Sequence, residues 1–140
     1  SGEIAAVNEA CNKCKSVGAK RAMLLPVSGA FHSPLMQSAA DAFEKFLEPV
    51  SFQTPCCPVI SNVSATTEKN PLKIKELLLK QLTSPVRWVD SVASLASFGC
   101  GTCLETGPKE VLHGLVKKCD STINIVSCGT ATNIFSLKSE

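Results

Sequence analysis

Thr102-Cys103-Leu104-Glu105 is followed by Thr106-Gly107-Pro108, then by the run Glu110 to Lys118, then by Ile123 to Ser127. The first run is short and apolar, and Gly-Pro closes it with a turn. The second carries Val111, Leu112, Leu115 and Val116 at helical spacing, and the third is apolar again. The stretch therefore reads as strand, helix, strand. Two strands joined through a helix lie parallel, because a parallel pair needs a long crossover where an antiparallel pair needs only a hairpin. This unit decides the fold class: α/β, with a mainly parallel sheet.

The same alternation extends upstream. Ser84-Pro85 opens a helix from about Val86 that bears Trp88, Val89, Val92, Leu95 and Ala96, and Gly99-Cys100-Gly101 ends it. Leu72 to Leu82 is helical, with Ile74, Leu77 and Leu78 facing inward. Ser64 to Pro71 is polar and ends in Asn-Pro, a loop. Pro55, Pro58 and Val59-Ile60 mark an extended segment. Pro34 starts a helix that reaches about Glu48, with Met36, Ala39, Ala40, Phe43 and Leu47 on one side and Ser33 as its N-cap. Arg21 to Val27 reads as a strand. Glu3 to Ser16 reads as a helix stopped by Gly18, with Ile4, Val7, Cys11 and Cys14 near one face. The tail from Gly129 to Glu140 is weakly patterned.

Composition narrows the function classes. The chain has 140 residues, enough for one core, and 44% of them are apolar. Lys plus Arg number 14 against 12 Asp plus Glu, a net charge of +2 that makes no electrostatic case for nucleic acid. No apolar run is long enough to span a bilayer. The opening Ser1-Gly2-Glu3-Ile4-Ala5-Ala6 lacks the basic start and apolar block of a signal peptide. It also lacks an initiating Met, so more chain is expected upstream.

Eight cysteines include two Cys-x-x-Cys pairs, Cys11/Cys14 and Cys100/Cys103. A zinc ribbon sets such pairs about 15–20 residues apart, and these are far more widely separated. Neither pair leaves a strand to open a helix, as a thioredoxin-like motif does. The expectation is small buried hydrophobes or exposed reduced thiols and no metal, with a zinc or redox role as a lower-ranked alternative.

Two histidines differ in setting. His113 lies within a helix among apolar residues, a structural position. His32 lies in Ser28-Gly29-Ala30-Phe31-His32-Ser33-Pro34, after a strand and before a helix. Ligands of an open α/β sheet gather outside the strand ends, and a neutral imidazole there can accept a proton near pH 7. From position alone a satisfied loop histidine is the commoner case. There is no G-x-S-x-G elbow, P-loop, dinucleotide fingerprint or H-E-x-x-H. The residues offer half of a catalytic apparatus.

Five segments add specificity. Leu25-Pro26-Val27-Ser28-Gly29-Ala30-Phe31-His32-Ser33-Pro34-Leu35-Met36 resembles the histidine segment of malonyl-CoA:acyl-carrier-protein transacylases. Pro58-Val59-Ile60-Ser61-Asn62-Val63 resembles that family's next strand. Lys80-Gln81-Leu82-Thr83-Ser84-Pro85-Val86-Arg87-Trp88 and Glu105-Thr106-Gly107-Pro108-Lys109-Glu110-Val111-Leu112 resemble its later motifs, in the same order. Gly18-Ala19-Lys20-Arg21-Ala22 precedes the histidine segment as in bacterial members. The resemblance covers nearly the whole chain and is weakest after Cys119.

The resemblance implies the C-terminal part of an α/β-hydrolase-like acyltransferase domain over residues 28–140. Residues 1–27 would be the end of a small ferredoxin-like subdomain. It implies transfer of malonyl from malonyl-CoA to the phosphopantetheine thiol of acyl carrier protein, through a Ser-bound ester, in fatty acid biosynthesis. His32 matches the catalytic histidine. Gln81 matches the residue whose main-chain carbonyl orients it, in place of a triad Asp. Phe31 falls in a four-residue segment similar to the malonyl-type His-Ala-Phe-His, with Gly29 first, where a bulky ring would crowd a 2-methyl group. Asn62 is a second substrate-side candidate, with a turn-forming role as its alternative. Glu105 is not assigned to catalysis.

The nucleophile elbow, the Arg that pairs with the malonyl carboxylate and the oxyanion-hole segment are absent from these residues. The resemblance therefore implies a missing N-terminal half as partner, and no transfer by these 140 residues alone. No cofactor is implied beyond the substrates, malonyl-CoA and phosphopantetheine-bearing acyl carrier protein. The family works where fatty acids are made, so a soluble protein of a reducing compartment is expected, with plastid, mitochondrion and bacterial cytoplasm undistinguished. Two alternatives stay open: an acyltransferase domain of a polyketide or fatty-acid synthase, and a non-catalytic module that binds acyl carrier protein.

Overall fold

The computed structural model describes residues 1–136. Six α-helices run in chain order: α1 (Ile4–Ser16), α2 (Gln37–Leu47), α3 (Pro71–Lys80), α4 (Trp88–Ser97), α5 (Val111–Cys119) and α6 (Ala131–Ser136). A 3-10 turn, Pro34–Met36, leads into α2. The strands are β1 (Val59–Ile60), β2 (Thr67–Glu68), β3 (Thr102–Glu105) and β4 (Asn124–Ser127). They form two two-stranded sheets, β1–β2 and β3–β4. No described helix is long and apolar enough to cross a membrane. The end of the weakly patterned tail, 137–140, lies outside the described residues.

The chain divides into two compact units. One is Ser1–Ser64 with Glu68–Val86, and the other is Ala65–Thr67 with Arg87 onward.

In the second unit the strand–helix–strand reading holds. β3 and β4 are parallel, in the register Thr102–Asn124, Cys103–Ile125, Leu104–Val126 and Glu105–Ser127, with α5 as the crossover. Alternation along β3 turns Cys103 and Glu105 inward and leaves Thr102 and Leu104 exposed. The core is Val92, Val116, Ile123 and Ile125, with Trp88 and Cys103 packed against it. Each buried aliphatic side chain there contributes about 1.5–3 kcal/mol relative to exposure. Ser94 on α4 donates its hydroxyl to the carbonyl of Ala65. The expected inward faces are only partly buried: Val89, Val111, Leu112 and Leu115 stay exposed.

Helix α4 ends as its sequence predicts. Gly99 adopts φ +83°, its N–H donates to the Ala96 carbonyl, and the N–H of Cys100 donates to the Leu95 carbonyl. That is a Schellman ending, with glycine in the left-handed position where a Cβ is penalised. Gly18 closes α1 in the same way, with φ +92°.

The first unit holds α1, α2 and α3. Ala40 and Leu47 of α2 and Leu77 of α3 are its buried helical positions. Asn70 caps α3, its side-chain oxygen accepting from the N–H groups of Leu72 and Lys73, and Pro71 takes the first helical position.

Four expectations are corrected. Residues 21–27 form no strand, because no described strand pairs with them and a strand exists only through its ladder. Ser33 stands at the head of the 3-10 turn but caps nothing with its hydroxyl, which turns back to the Ala30 carbonyl at 2.6 Å. The loop 64–71 contains β2. The tail contains α6, opened by a reciprocal pair: the N–H of Thr130 donates to Asn133 Oδ1, and the N–H of Asn133 donates to Thr130 Oγ1. That is capping-box geometry with Asn in the place of Glu or Gln.

Candidate active site

The site grows from the end of α3. The last four carbonyls of a helix have no partner within it. Here the Leu77 carbonyl is taken by the N–H of Gln81, and the Lys80 carbonyl by those of Thr83 and Ser84. The next two carbonyls, of Gln81 and Leu82, are taken by one residue from elsewhere in the chain, His32. Its backbone N–H donates to Leu82 at 3.0 Å. Its ring Nδ1 lies 2.8 Å from the Gln81 carbonyl oxygen.

A carbonyl oxygen can only accept, so Nδ1 carries the hydrogen and donates it. In neutral imidazole the lone pair then sits on Nε2. The backbone of α3 thereby selects the tautomer and the ring orientation with no carboxylate.

His32 itself has φ +61°, in the left-handed region that non-glycine residues seldom enter. The two hydrogen bonds to α3 and the Ser33 hydroxyl's bond to Ala30 hold the loop in that shape. Strain of this kind, held in place by its surroundings, is typical of functional positions.

Phe31 is 45% exposed. Its ring lies over Gly29, with Cε2 at 3.3 Å from where a Cβ on that residue would stand. Asn62 and Gln81 line one small cavity of about 120 Å³ together with Ser61, Glu68, Ile74 and Leu77. His32 and Phe31 are not in its wall. A larger open cleft of about 540 Å³, lined by Glu44, Lys45, Glu48, Lys75, Glu76 and Leu79, holds none of the expected site residues. The structure thus joins His32 to Gln81, and Gln81 to Asn62.

The sequence reading missed Leu82, whose carbonyl holds the His32 backbone. A main-chain acceptor leaves no mark in residue identity, and the matching motif points to Gln81 alone. It also missed what Glu105 does. That side chain is 6% exposed. Its Oε1 accepts from the N–H of Leu112 at 2.7 Å and its Oε2 from that of His113 at 2.8 Å. Glu105 therefore caps α5 from the end of β3, where Glu110, at the N-cap, makes no side-chain bond. The Leu112 N–H is the main cause that holds its carboxyl below the ordinary glutamate value; burial opposes, and the N–H groups of His113 and Val111 add to the lowering.

The cysteines are all free. Among the described residues no group of three or more His, Cys, Asp or Glu could hold a metal ion.

The chain superposes on the acyl-carrier-protein S-malonyltransferase of Bartonella henselae with a TM-score of 0.92 at 40% identity, over 99% of this chain and 44% of that one. It superposes with a TM-score of 0.90 at 39% identity, over 99% of this chain and 45% of that one, on a malonyl-transacylase in complex with its type II polyketide acyl carrier protein. The architecture is that of an α/β acyltransferase.

Among curated proteins, the malonyl CoA-acyl carrier protein transacylase of Bacillus subtilis strain 168 is 42% identical over 127 residues, 91% of this chain. The chain spans about 40% of that relative's length. Over this span the chain is similar to malonyl CoA-acyl carrier protein transacylases. No family model matches it.

Proposed function

We propose that these residues are the histidine-bearing part of an enzyme that moves a malonyl group from malonyl-CoA to the phosphopantetheine thiol of acyl carrier protein, in fatty acid biosynthesis. The observation that carries this reading is the 2.8 Å bond from His32 Nδ1 to the Gln81 carbonyl, which leaves Nε2 as a base. The relatives' names supply the substrates, and the match to a transacylase in complex with an acyl carrier protein supports the acceptor.

The chemistry runs in two halves. A Ser hydroxyl, on chain outside these 140 residues, attacks the malonyl thioester while His32 Nε2 takes its proton. The proton then passes to the departing CoA thiolate, and malonyl remains on Ser as an ester. In the second half Nε2 takes the proton of the phosphopantetheine thiol. The thiolate attacks the ester, and the proton returns to Ser. Phe31 flanks His32 and would border the acyl carbon, while Asn62 would act from the cavity that it shares with Gln81. Exposed Met23, Leu24, Leu25 and Val27, on a segment without a strand partner, support further chain as a partner to this part. The setting would be a reducing compartment that holds both malonyl-CoA and the acyl-carrier-protein thiol.

The test is His32→Ala in the natural full-length protein, assayed for malonyl transfer to acyl carrier protein. Loss of a positioned base should lower kcat by about 10²–10⁴-fold in a protein that still folds. Near-normal transfer by the folded variant would overturn the assignment.

A further inference from the structure

We propose that Cys100 and Cys103 form a dithiol that oxidises to an intramolecular disulfide, a modification site built into the turn between α4 and β3. Their sulfurs lie 3.6 Å apart, and both side chains are half-buried. The scaffold sets the approach from both sides. Cys100 is fixed by the Schellman ending of α4, through its N–H to Leu95. Cys103 is fixed in β3, opposite Ile125, with its side chain packed on the core. Between them the Gly101 carbonyl accepts the N–H of Asn124 at 2.8 Å, which ties the turn to the start of β4. Once one of two thiols held in contact is a mixed disulfide, the other attacks it as an intramolecular reaction, at high effective concentration. Cys11 and Cys14 share the spacing but lie within α1, with no such sulfur contact between them.

The order of attack follows from the surroundings. Burial, and then the hydrogen bond with Cys100, push the Cys103 thiol up, so Cys103 is the poorer first nucleophile near neutral pH. Cys100 gives its proton to water, and its thiolate attacks one sulfur of a low-molecular-weight disulfide such as glutathione disulfide. The reagent's S–S bond breaks and one glutathione thiolate leaves. Cys103, deprotonated in turn, attacks the Cys100 sulfur of the mixed disulfide and releases the second glutathione. The two protein thiols lose two electrons and two protons, and the reagent leaves as two thiols.

The experiment uses the natural full-length protein, reduced and then exposed to glutathione disulfide under native conditions. Free thiols are blocked with N-ethylmaleimide, and peptides are mapped by mass spectrometry. The expected result is a Cys100–Cys103 peptide lighter by about 2 Da than its reduced form, appearing before any product at Cys11 or Cys14. In Cys103→Ser, and equally in Cys103→Ala, glutathione should accumulate on Cys100, because the resolving thiol is gone. Wild-type protein that keeps glutathione on Cys100 without forming the bridge would overturn the proposal. So would oxidation of Cys11/Cys14 ahead of this pair.

Discussion

The ring of His32 donates from Nδ1 to the main-chain carbonyl of Gln81 at 2.8 Å, across 49 positions of sequence. The acceptor belongs to the backbone, and it is available because Gln81 is the C-cap of α3. A helix end here supplies two of the things an Asp supplies in a Ser-His-Asp triad: one tautomer and one ring orientation.

Gln81→Ala keeps the carbonyl. We expect kcat/KM for malonyl transfer by the full-length protein to stay within about threefold of the unchanged enzyme, under about 0.7 kcal/mol of transition-state stabilisation. A loss of about 10²-fold would mean that the amide side chain contributes to the chemistry. The side chain borders the same cavity as Asn62, so a modest rise in KM fits that wall position.

Glu105 ties stability to pH. Its folded-state carboxyl is held below the unfolded value, so its stabilising contribution is fully present above the unfolded value and is lost as pH falls through the lowered one. The unsubstituted protein should therefore lose thermal stability as acid is added below about pH 4.5. Glu105→Gln should melt lower than the unsubstituted protein at pH 7, because it weakens a charge-assisted cap on α5. Its melting temperature should also change less across the acid range. Thermal melts of both proteins between pH 7 and pH 3 check this.

Gly129 has no room for a side chain. An added Cβ would stand 1.8 Å from the Gly107 carbonyl oxygen and 2.9 Å from its carbonyl carbon, and both belong to backbone that cannot rotate away. Just before it, the N–H of Cys128 donates to the Glu105 carbonyl at 2.7 Å and holds the two segments together. Gly129→Ala should cost about 1–3 kcal/mol or more, read as a lower midpoint of denaturant unfolding. Gly114→Ala is the control: nothing lies within 4 Å of its added Cβ, and a helix interior favours Ala over Gly by about 1 kcal/mol.

The departures share one physical cause. Apolar periodicity gave α2, α3, α4 and α5 within a few residues, because a helix that buries one face writes that face into its sequence. The run 21–27 has strand-like composition, yet a strand is a property of two segments, and its partner is not among the described residues. Ser33 was legible as a cap by residue type, but its hydroxyl found the Ala30 carbonyl first. The acceptor that caps α5 comes from β3, six residues before the helix begins, where a search next to the helix does not look. Thr130 and Asn133 open α6 with an amide where the common pattern has Glu or Gln.

Strand, helix and strand over 102–127, the glycine endings of α1 and α4, and the loop position of His32 were all written in residue types and their spacing. Each is a local matter of period, φ preference or residue type. The tertiary structure alone decided that the carbonyl of Leu82 meets the His32 backbone, that Glu105 caps α5, and that Cys100 touches Cys103. Backbone acceptors carry no residue signature, and contacts between distant segments exist only after the chain has brought them together.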